Sequence, residues 1–428
     1  MSELKAGKYQ AYPEHKDSGV EWLSEIPAHW KTCRLKHLAS IKNGQDYKAV
    51  QSESGYPVMG SGGQFAFATE FMYDKSSVLL GRKGTIDKPL FIDVPFWTVD
   101  TMYYTEMLPN TNAKYLYYLA TTIQFTRYST NTALPSMTQE HLGNYIFAVP
   151  VQASERVQIA HFLDHETAKI DTLIEKQQQL IKLLKEKRQA VISHAVTKGL
   201  SPQAPMKDSG VEWLGEVPAH WVVVRLKQVI KSGSSISYGI VQPGDALDEG
   251  VPFIQTTNIS QGNLALDDLP KTSKMIESNY PRSRLSGGEV ILGIRASIGA
   301  AYVVPVELRG VNLSRGVARI QPNSDLTSEF LVRFFQTNAV DEYWGLSKQG
   351  STFSEVSIET VRELKVVIPP ETEQRDICLH IEQMSEAFER IINLALMQHN
   401  LQKERRTALI SAAVTGKIDV RNWEQPND

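Results

Sequence analysis

The sequence KDSGVEWLSEIPAHW begins at Lys16 and returns almost unchanged at Lys207, as KDSGVEWLGEVPAHW. The two copies differ at only two of their fifteen positions. Composition alone does not produce such near-identity, so the chain contains an internal duplication. A repeat period of about 190 residues is too long for a solenoid and indicates two tandem domains.

The similarity returns at the end of each half. FAVPVQASERVQIAHFLDHE from Phe147 aligns with VVIPPETEQRDICLHIEQMS from Val366, and KEKRQAVISHAVTKG from Lys185 aligns with QKERRTALISAAVTGK from Gln402. Between these shared ends lie two divergent middles, the second longer by about 28 residues. Each half is therefore an opening motif, a variable middle and a long closing segment. We expect four shared tryptophans to anchor the opening motifs: Trp22, Trp30, Trp213 and Trp221.

Length and composition predict a soluble, cytoplasmic protein of two or more domains. A chain of 428 residues is too long for one compact core. Its formal net charge of −3 provides no global attraction to nucleic acid, so a DNA-binding surface must be local or completed by a partner. The two cysteines, Cys33 and Cys378, suggest neither a disulfide framework nor a metal site. No signal peptide or membrane span is recognisable.

Both closing segments show a heptad pattern that is typical of long paired helices. The first segment carries two rows: Leu163, Ile170, Gln177, Leu184 and Val191, interleaved with Thr167, Ile174, Ile181 and Ala195. The second carries Ile377, Met384, Ile391 and Gln398 beside Ile381, Phe388, Ala395 and Leu409. Helices of this length are not stable alone with an exposed apolar stripe, so they should pair. Chain order makes the pair antiparallel, with a globular domain at each end and an approximate two-fold axis.

Additional apolar residues lie outside this seam, and a stripe wider than a two-helix contact predicts partner helices. These predicted partner-binding residues are Phe162, Leu173, Leu180, Leu183, Ile392, Leu394, Leu396 and Met397. The alternative is that they shelter under the globular domains.

The variable middles read as mixed α/β modules with polar loops. Two stretches correspond: the segment from Leu80 to Ile86 and the segment from Leu292 to Ile298 each end a strand in a small-residue turn with a cation and a hydroxyl. Such groups suit hydrogen bonds to phosphates and base edges, although polar loops are commonly just solvated. The predicted DNA-binding residues are Ser61, Arg82, Lys83, Thr85, Asn131 and Ser136 in the first domain, and Gln255, Asn258, Arg295, Ser297, Arg315, Gln349 and Ser351 in the second.

Motifs for catalysis are not found. The glycine-rich residues 60–63 lack the Lys-Ser/Thr of a phosphate-binding loop. His161 and His165 have a metal-compatible helical spacing, but the zincin glutamate is missing, and a solvated helix face is the better interpretation. No methyltransferase, nuclease or nucleophile-elbow motif is recognisable, so the chain is predicted to be non-catalytic by itself.

The shared motifs resemble one known family. DSGVEWLGEVPAHW, the helix start IPPETEQRDI and the helix end LISAAVTGKI are similar to those of the DNA-specificity subunit of type I restriction-modification systems, and the resemblance covers nearly the whole chain. The first copy departs from the family pattern at its helix start, where Ser154 and Glu155 stand in place of Glu373 and Gln374.

The resemblance implies a sequence-specific reader of a bipartite, asymmetric DNA sequence, with one target-recognition domain for each half and the helix pair setting the unread spacer. It also implies two methyltransferase subunits that bind S-adenosylmethionine, and motor-nuclease subunits that use ATP and Mg; no cofactor is expected on this chain. A coiled-coil scaffold whose end domains bind protein is the alternative interpretation.

The predicted fold class is α+β, with two mixed α/β domains joined by two long antiparallel helices. The predicted segments are a first domain (1–150), a first helix (151–200), a second domain (201–370), a second helix (371–418) and a tail (419–428).

Overall fold

The structure is a computed structural model that describes residues 9–127, 136–262, 264–347 and 355–426. The chain divides into two compact units. Unit one comprises Met1–Gln178 and Leu396–Asp428, and unit two comprises Gln179–Ala395. Each unit contains one globular domain, called here domain one and domain two, together with parts of two long helices.

Domain one is built around two four-stranded sheets. Its strands are β1 (His15–Asp17), β2 (Glu25–Pro27), β3 (Trp30–Arg34), β4 (Ala39–Asn43), β5 (Gln51–Ser52), β6 (Tyr56–Gly60), β7 (Gly63–Ala68), β8 (Ser77–Gly81), β9 (Leu90–Ile92), β10 (Trp97–Thr98), β11 (Met102–Met107) and β12 (Ile146–Pro150). The sheet orders are β4-β11-β8-β9 and β10-β6-β7-β5, while β12 pairs with β3 and β1 with β2. Helix α1 (Ala113–Ala120) packs on β8 and β9, α2 (Gln139–Asn144) precedes β12, and the long helix α3 (Ala153–Lys198) follows it.

Domain two repeats this plan. Its strands are β13 (Met206–Asp208), β14 (Glu216–Pro218), β15 (Val222–Arg225), β16 (Ser237–Tyr238), β17 (Val251–Ile254), β18 (Lys271–Thr272), β19 (Val290–Gly293), β20 (Ala301–Val303), β21 (Asn312–Leu313), β22 (Val317–Ile320) and β23 (Lys365–Ile368). Its helices are α4 (Thr256–Gln261), α5 (Lys274–Glu277), α6 (Ser328–Phe335), α7 (Asn338–Ser347) and α8 (Ile358–Glu363), followed by the long α9 (Glu371–Val414). The sheet orders are β16-β22-β19-β20 and β18-β17-β21, with β15 paired to β23 and β13 to β14.

The two divergent middles share one topology. Each has an antiparallel four-stranded sheet beside a parallel strand pair, β6 with β10 in domain one and β17 with β21 in domain two. The strand register also matches, because Gly81 lies opposite Met102 and Gly293 lies opposite Val317. The correspondence inferred between the two small-residue turns is therefore confirmed.

Domain two contains an insertion that lengthens its middle and enlarges the second apolar cluster, which both domains have. Helices α4 and α5 lie between β17 and β19, where domain one has only β7 and a loop. Ile254, Ile259 and Leu269 form part of a separate apolar cluster there. The Arg284 guanidinium donates two hydrogen bonds of 2.7 Å to the Glu277 carboxylate, which ties this region together.

The repeated opening motif attaches each domain to the start of its long helix. The buried Trp30 indole donates a 2.9 Å hydrogen bond to Glu155 in the first turn of α3. Trp221 makes the same 2.9 Å bond to Glu373 in the first turn of α9. The histidine that precedes each tryptophan also contacts this carboxylate, at 3.0 Å in domain one and 2.7 Å in domain two. The expected anchoring role is thus confirmed for these two tryptophans.

The two helix starts align with a correction of one residue. Glu155, not Ser154, takes the place of Glu373. Ile146 and Lys365 occupy equivalent strand positions, and Glu155 lies nine residues after the first, whereas Glu373 lies eight residues after the second. Arg156 then stands where Gln374 stands. Each of these two side chains donates to the carbonyl of the proline before its helix, at 2.8 Å for the arginine and 2.9 Å for the glutamine. Arginine replaces glutamine in the same structural role.

The long helices pack against each other within each unit. In unit one the first half of α3 lies beside the second half of α9, where Arg406 donates a 2.7 Å hydrogen bond to Asp171. In unit two the second half of α3 lies beside the first half of α9, where Arg188 lies 3.3 Å from Glu389. Residues later in α3 therefore contact residues earlier in α9, which confirms the predicted antiparallel pairing. The predicted α+β fold is also confirmed. Among the described helices, none is apolar over enough of its length to span a bilayer.

The predicted seam is right on α3 and partly wrong on α9. All the residues assigned to the α3 seam are buried or half-buried. On α9, Ile391 is 47% exposed and Gln398 is also exposed, whereas Ile392 and His399 are buried. From Phe388 onward the buried positions alternate in steps of four and three residues. The predicted row repeats every seven residues from Ile377, so at Ile391 it no longer faces α3.

Candidate nucleic-acid interface

In domain one, the turn after β8 is held on both sides by backbone hydrogen bonds. The Arg82 amide donates to the Thr101 carbonyl at 2.9 Å, and the Arg82 carbonyl accepts from the Met137 amide at 2.9 Å. An isolated bridge links Lys83 to Ser136. These bonds fix the turn between two neighbouring segments and leave the Lys83 side chain exposed.

The hairpin between β6 and β7 brings a second loop to this turn. A Cβ built on Gly84 would lie 3.6 Å from the Ser61 hydroxyl oxygen. Five of the six DNA-binding residues predicted for domain one therefore lie close together. They form turn cluster one: Ser61, Arg82, Lys83, Thr85 and Ser136.

Domain two holds its turn with the same bonds. The Ile294 amide donates to the Gly316 carbonyl at 2.9 Å, and the Ile294 carbonyl accepts from the Val356 amide at 2.8 Å. An isolated bridge links Arg295 to Glu355, as Lys83 is linked in domain one. Arg295 and Lys83 thus occupy equivalent positions, and both side chains are exposed.

The segment after β17 completes the second cluster. The Ser297 hydroxyl donates to the Thr256 carbonyl at 3.3 Å, and the Thr256 methyl lies 2.4 Å from an ideal Cβ on Gly316, so glycine is required there. The hydrogen bond between Ser297 and Thr256 places the start of α4 beside the turn. Turn cluster two consists of Gln255, Asn258, Arg295, Ser297 and Arg315.

Both turns need glycine where the chain closes on itself. An added Cβ would lie 2.5 Å from the Thr85 carbonyl oxygen at Gly81 and 2.2 Å from the Ser297 carbonyl oxygen at Gly293. Three residues later the backbone enters the left-handed region, with φ of 82° at Gly84 and 59° at Ala296. In domain two, Ala296 therefore adopts a left-handed backbone conformation that glycine would adopt without strain.

The cations of the two clusters differ in freedom. Within the described residues, Lys83 and Arg295 form no ion pair. Arg315 lies 3.6 Å from Glu355, and Arg82 donates to the Asp100 carbonyl at 3.3 Å, so both of these are already engaged. One unpaired cation per turn is thus available to phosphate or a base edge.

Tyr103 supports turn cluster one from below. Burial raises the pKa of its phenol, even though nearby Arg82 acts in the opposite direction. The phenol therefore stays protonated at neutral pH and donates to the Met137 carbonyl at 3.2 Å. This bond secures the end of the loop that carries Ser136.

Some of the predicted DNA-binding residues already form local hydrogen bonds, and others lie outside the described residues. The Asn258 side-chain oxygen accepts from the Gln255 amide at 2.9 Å, so that oxygen caps α4. Asn131, Gln349 and Ser351 lie outside the described residues. The role of the predicted residues in DNA binding stays a prediction. Phe65, an exposed aromatic residue on β7, was not predicted, because its segment reads simply as a strand.

Two of the predicted partner-binding residues require correction. Phe162 is fully buried, packing edge-on against Tyr9 and Trp423, and Ile392 lies in the helix seam. The other predicted positions are exposed: Leu180, Leu183 and Leu394 in unit two, and Leu173, Leu396 and Met397 in unit one. Ile391 in unit two and Leu401 in unit one join them, since the shifted seam turns these side chains outward.

The histidine pair on α3 has a packing explanation. The His165 ring lies 5.3 Å from the Trp423 ring, while His161 is exposed. No group of three His, Cys, Asp or Glu side chains within the described ranges has the arrangement of a metal site.

The comparisons with known proteins agree with this architecture. The family described as type I restriction modification DNA specificity domain matches residues 27–183 and 218–398. The EcoBI specificity subunit of Escherichia coli is 23% identical, over 96% of this chain and 90% of the relative. The putative MjaX specificity subunit of Methanocaldococcus jannaschii is also 23% identical, over 96% and 99%.

Solved structures show the same fold. A chain from a structural study of complex assembly and conformational transition of the type I R-M system superposes with a TM-score of 0.65 at 17% identity, over 92% of this chain and 99% of that one. The HsdS subunit of Thermoanaerobacter tengcongensis gives a TM-score of 0.51 at 15% identity, over 92% and 98%. The two family matches begin at Pro27 and Pro218, the same position of the duplicated motif. The chain belongs to the family of type I restriction-modification DNA specificity subunits.

Proposed function

We propose that this chain reads a bipartite DNA sequence, one half with each turn cluster. The observation that carries the proposal is that the two domains hold equivalent turns with the same backbone bonds and present different side chains from them. A fixed frame with varied exposed groups suits the reading of two unlike sequences by one architecture.

Each cluster offers a small set of groups for the major groove. Arg295 is suited to paired hydrogen bonds with guanine O6 and N7, and Gln255 to adenine. Lys83 presents a point charge that suits phosphate or guanine. Hydroxyls such as Thr85 and Ser297 suit either bases or phosphates.

The catalytic work belongs to partner subunits. We propose that two methyltransferase subunits dock on the exposed leucines and methionine of α3 and α9, and that motor-nuclease subunits join this assembly. S-adenosylmethionine, ATP and Mg would be bound by those partners and used in the cytoplasm. The helix pair would set the unread spacer between the two half-sites. A net charge of −3 fits this division, because partners can supply phosphate contacts.

A binding assay on the co-expressed complex tests the proposal. The chain is produced with the methyltransferase subunits of its host, and the host methylome supplies the split motif. We expect a gel shift with the cognate duplex that competes poorly with a scrambled duplex of equal length and composition. Equal competition by both would favour the alternative function, a scaffold whose end domains bind protein.

A further inference from the structure

Domain one carries a bulged aromatic residue beside its turn, which the described residues of domain two do not repeat. In the hairpin of β6 and β7, Val58 lies opposite Ala66 but Met59 lies opposite Gln64. Phe65 is therefore the extra, unpaired residue of a β-bulge. Bulges redirect a side chain and are enriched next to functional sites.

The Phe65 ring is exposed and yet held in place. It is 54% exposed, and its edge packs on Tyr47 with the ring centroids 5.2 Å apart. The ring also covers Gly60, where an added Cβ would lie 3.1 Å from it. An exposed aromatic ring that its neighbours already hold in place has little conformational freedom left to lose on binding. Such a ring is suited to a recognition contact.

The location of the ring connects it to turn cluster one. Gly60 is followed directly by Ser61, whose hydroxyl lies against the turn at Gly84. The apolar ring and the polar turn thus belong to one exposed surface. In domain two the corresponding strand, β17, is followed by the polar start of α4, with no aromatic residue in α4.

We infer that Phe65 contacts the 5-methyl group of a thymine in the half-site read by domain one. The inference rests on the proposed function. Among base-edge groups in the major groove, the thymine methyl is the one that an apolar ring recognises. A wedge that unstacks bases has to stand clear of its own surface, whereas Phe65 lies against Tyr47 and Gly60. Domain one would then combine methyl recognition with hydrogen bonds.

Deoxyuridine substitution tests this directly, because uracil differs from thymine only by the missing methyl. The full chain with its methyltransferase subunits is titrated against cognate duplexes in which each thymine of one half-site is replaced in turn by uracil. We expect one position in the domain-one half-site to bind about fourfold more weakly, the value of one buried methyl group. Phe65→Ala should weaken binding to the thymine duplex and make the thymine and uracil duplexes equal.

Phe71→Ala is the matched control. Phe71 is 45% exposed and packs edge-on against Tyr56 with ring centroids 5.1 Å apart, at the other end of the hairpin from Ser61. This variant should retain the thymine preference. Thermal unfolding of both variants checks that the domain remains folded.

The outcomes separate the two proposals. A wild-type complex that binds cognate and scrambled DNA equally would overturn the proposed function itself. Specific binding that is indifferent to uracil at every position, or a Phe65→Ala complex that keeps the thymine preference, would overturn only the methyl contact. Weakened methyltransferase assembly in Phe65→Ala, with an unchanged thymine preference in the complex that still forms, would assign the ring to a protein interface and also overturn the methyl contact.

Discussion

The opening motifs and the turns show two opposite uses of the same duplication. In the opening motif, the sequence and the contacts are both repeated: Trp30 with Glu155, and Trp221 with Glu373. In the turns, only the backbone bonds are repeated, and the side chains diverge. The comparison indicates that the motif maintains the attachment of a domain to its helix, while the turn is free to vary. Residues that are identical in both copies are therefore poor candidates for sequence recognition.

The first prediction concerns the attachment, where the largest effect is expected. Glu155 has a side chain only 5% exposed and accepts from Tyr12, His29 and Trp30, whereas that of Glu373 is 39% exposed and accepts from two residues. Glu155→Ala should destabilise unit one by about 3 kcal/mol, because it leaves buried donors unpaired, and Glu373→Ala should cost unit two about 1 kcal/mol. Peptide-resolved hydrogen exchange around each motif tryptophan measures both.

Glu371→Ala is the control for this prediction. Glu371 lies in the same first turn of α9, and among the described residues its one ion pair is with the exposed Arg375, so its loss should change neither unit. Equal destabilisation by the Glu155 and Glu373 variants would show that burial does not distinguish the two attachments.

The second prediction separates the two readers. Arg295→Ala should weaken specific DNA binding by about 1–3 kcal/mol and relax selectivity in one half-site only. Lys83→Ala, at the equivalent position, should affect the other half-site. Binding to duplexes mutated in either half measures this selectivity. If Arg295→Ala weakened cognate and scrambled duplexes equally, the side chain would be a phosphate contact instead.

The third prediction uses the insertion of domain two that carries α4 and α5. The hydrogen bonds from Arg284 lower the pKa of the Glu277 carboxyl from its ordinary value of 4.5. A carboxyl with a lowered folded-state pKa stabilises the fold above pH 4.5, and this contribution is lost as the pH falls through the lowered pKa. Glu277→Gln should cost about 1 kcal/mol at pH 7 and abolish this part of the acid sensitivity.

Hydrogen exchange at pH 7 and pH 4, corrected for intrinsic rates, follows the peptides of α5 and β21 in the wild type and the glutamine variant. Domain one lacks this insertion, and its peptides serve as the internal control. An unchanged acid response in Glu277→Gln would remove the carboxylate from the explanation.

A comparably small effect is expected in the turns themselves. Gly84→Ala should destabilise domain one by about 1 kcal/mol, since alanine pays for a positive φ that glycine adopts freely. Ala296→Gly relieves the same conformation in domain two and should not destabilise it. Thermal unfolding compares the two variants. A loss of stability in both would mean that the turns are not equivalent in their backbone.

Much of this architecture could be predicted from the sequence, because repetition fixes it. The α3 seam follows from apolar residues at regular heptad spacing. The α9 seam fails at Ile391 and Gln398 because the polar His399 occupies a buried position, which a count of apolar residues cannot identify. The paired turns are recognisable in the sequence because a glycine, a cation and a hydroxyl recur in the same order.

Other features depend on contacts that no local pattern reveals. The shared role of Glu155 and Glu373 was hidden by a shift of one residue between strand and helix. Phe65 sits in an alternating segment that predicts a regular strand, and its exposure depends on a bulge set by pairing with β6. The burial of Phe162 depends on Trp423, more than 250 residues later in the chain.

Exchange of one variable middle tests the central claim most directly. Residues 230–357 are replaced by a second copy of residues 39–138, which joins the chain at equivalent positions of the repeated frame, and the methylome of cells that also express the methyltransferase subunits is sequenced. If each middle alone selects the base sequence of its half-site, both halves of the methylated motif will carry the base sequence that domain one reads in the wild type. A folded, methylation-competent hybrid that still modifies the original two-part motif would contradict this assignment of recognition to the variable middles.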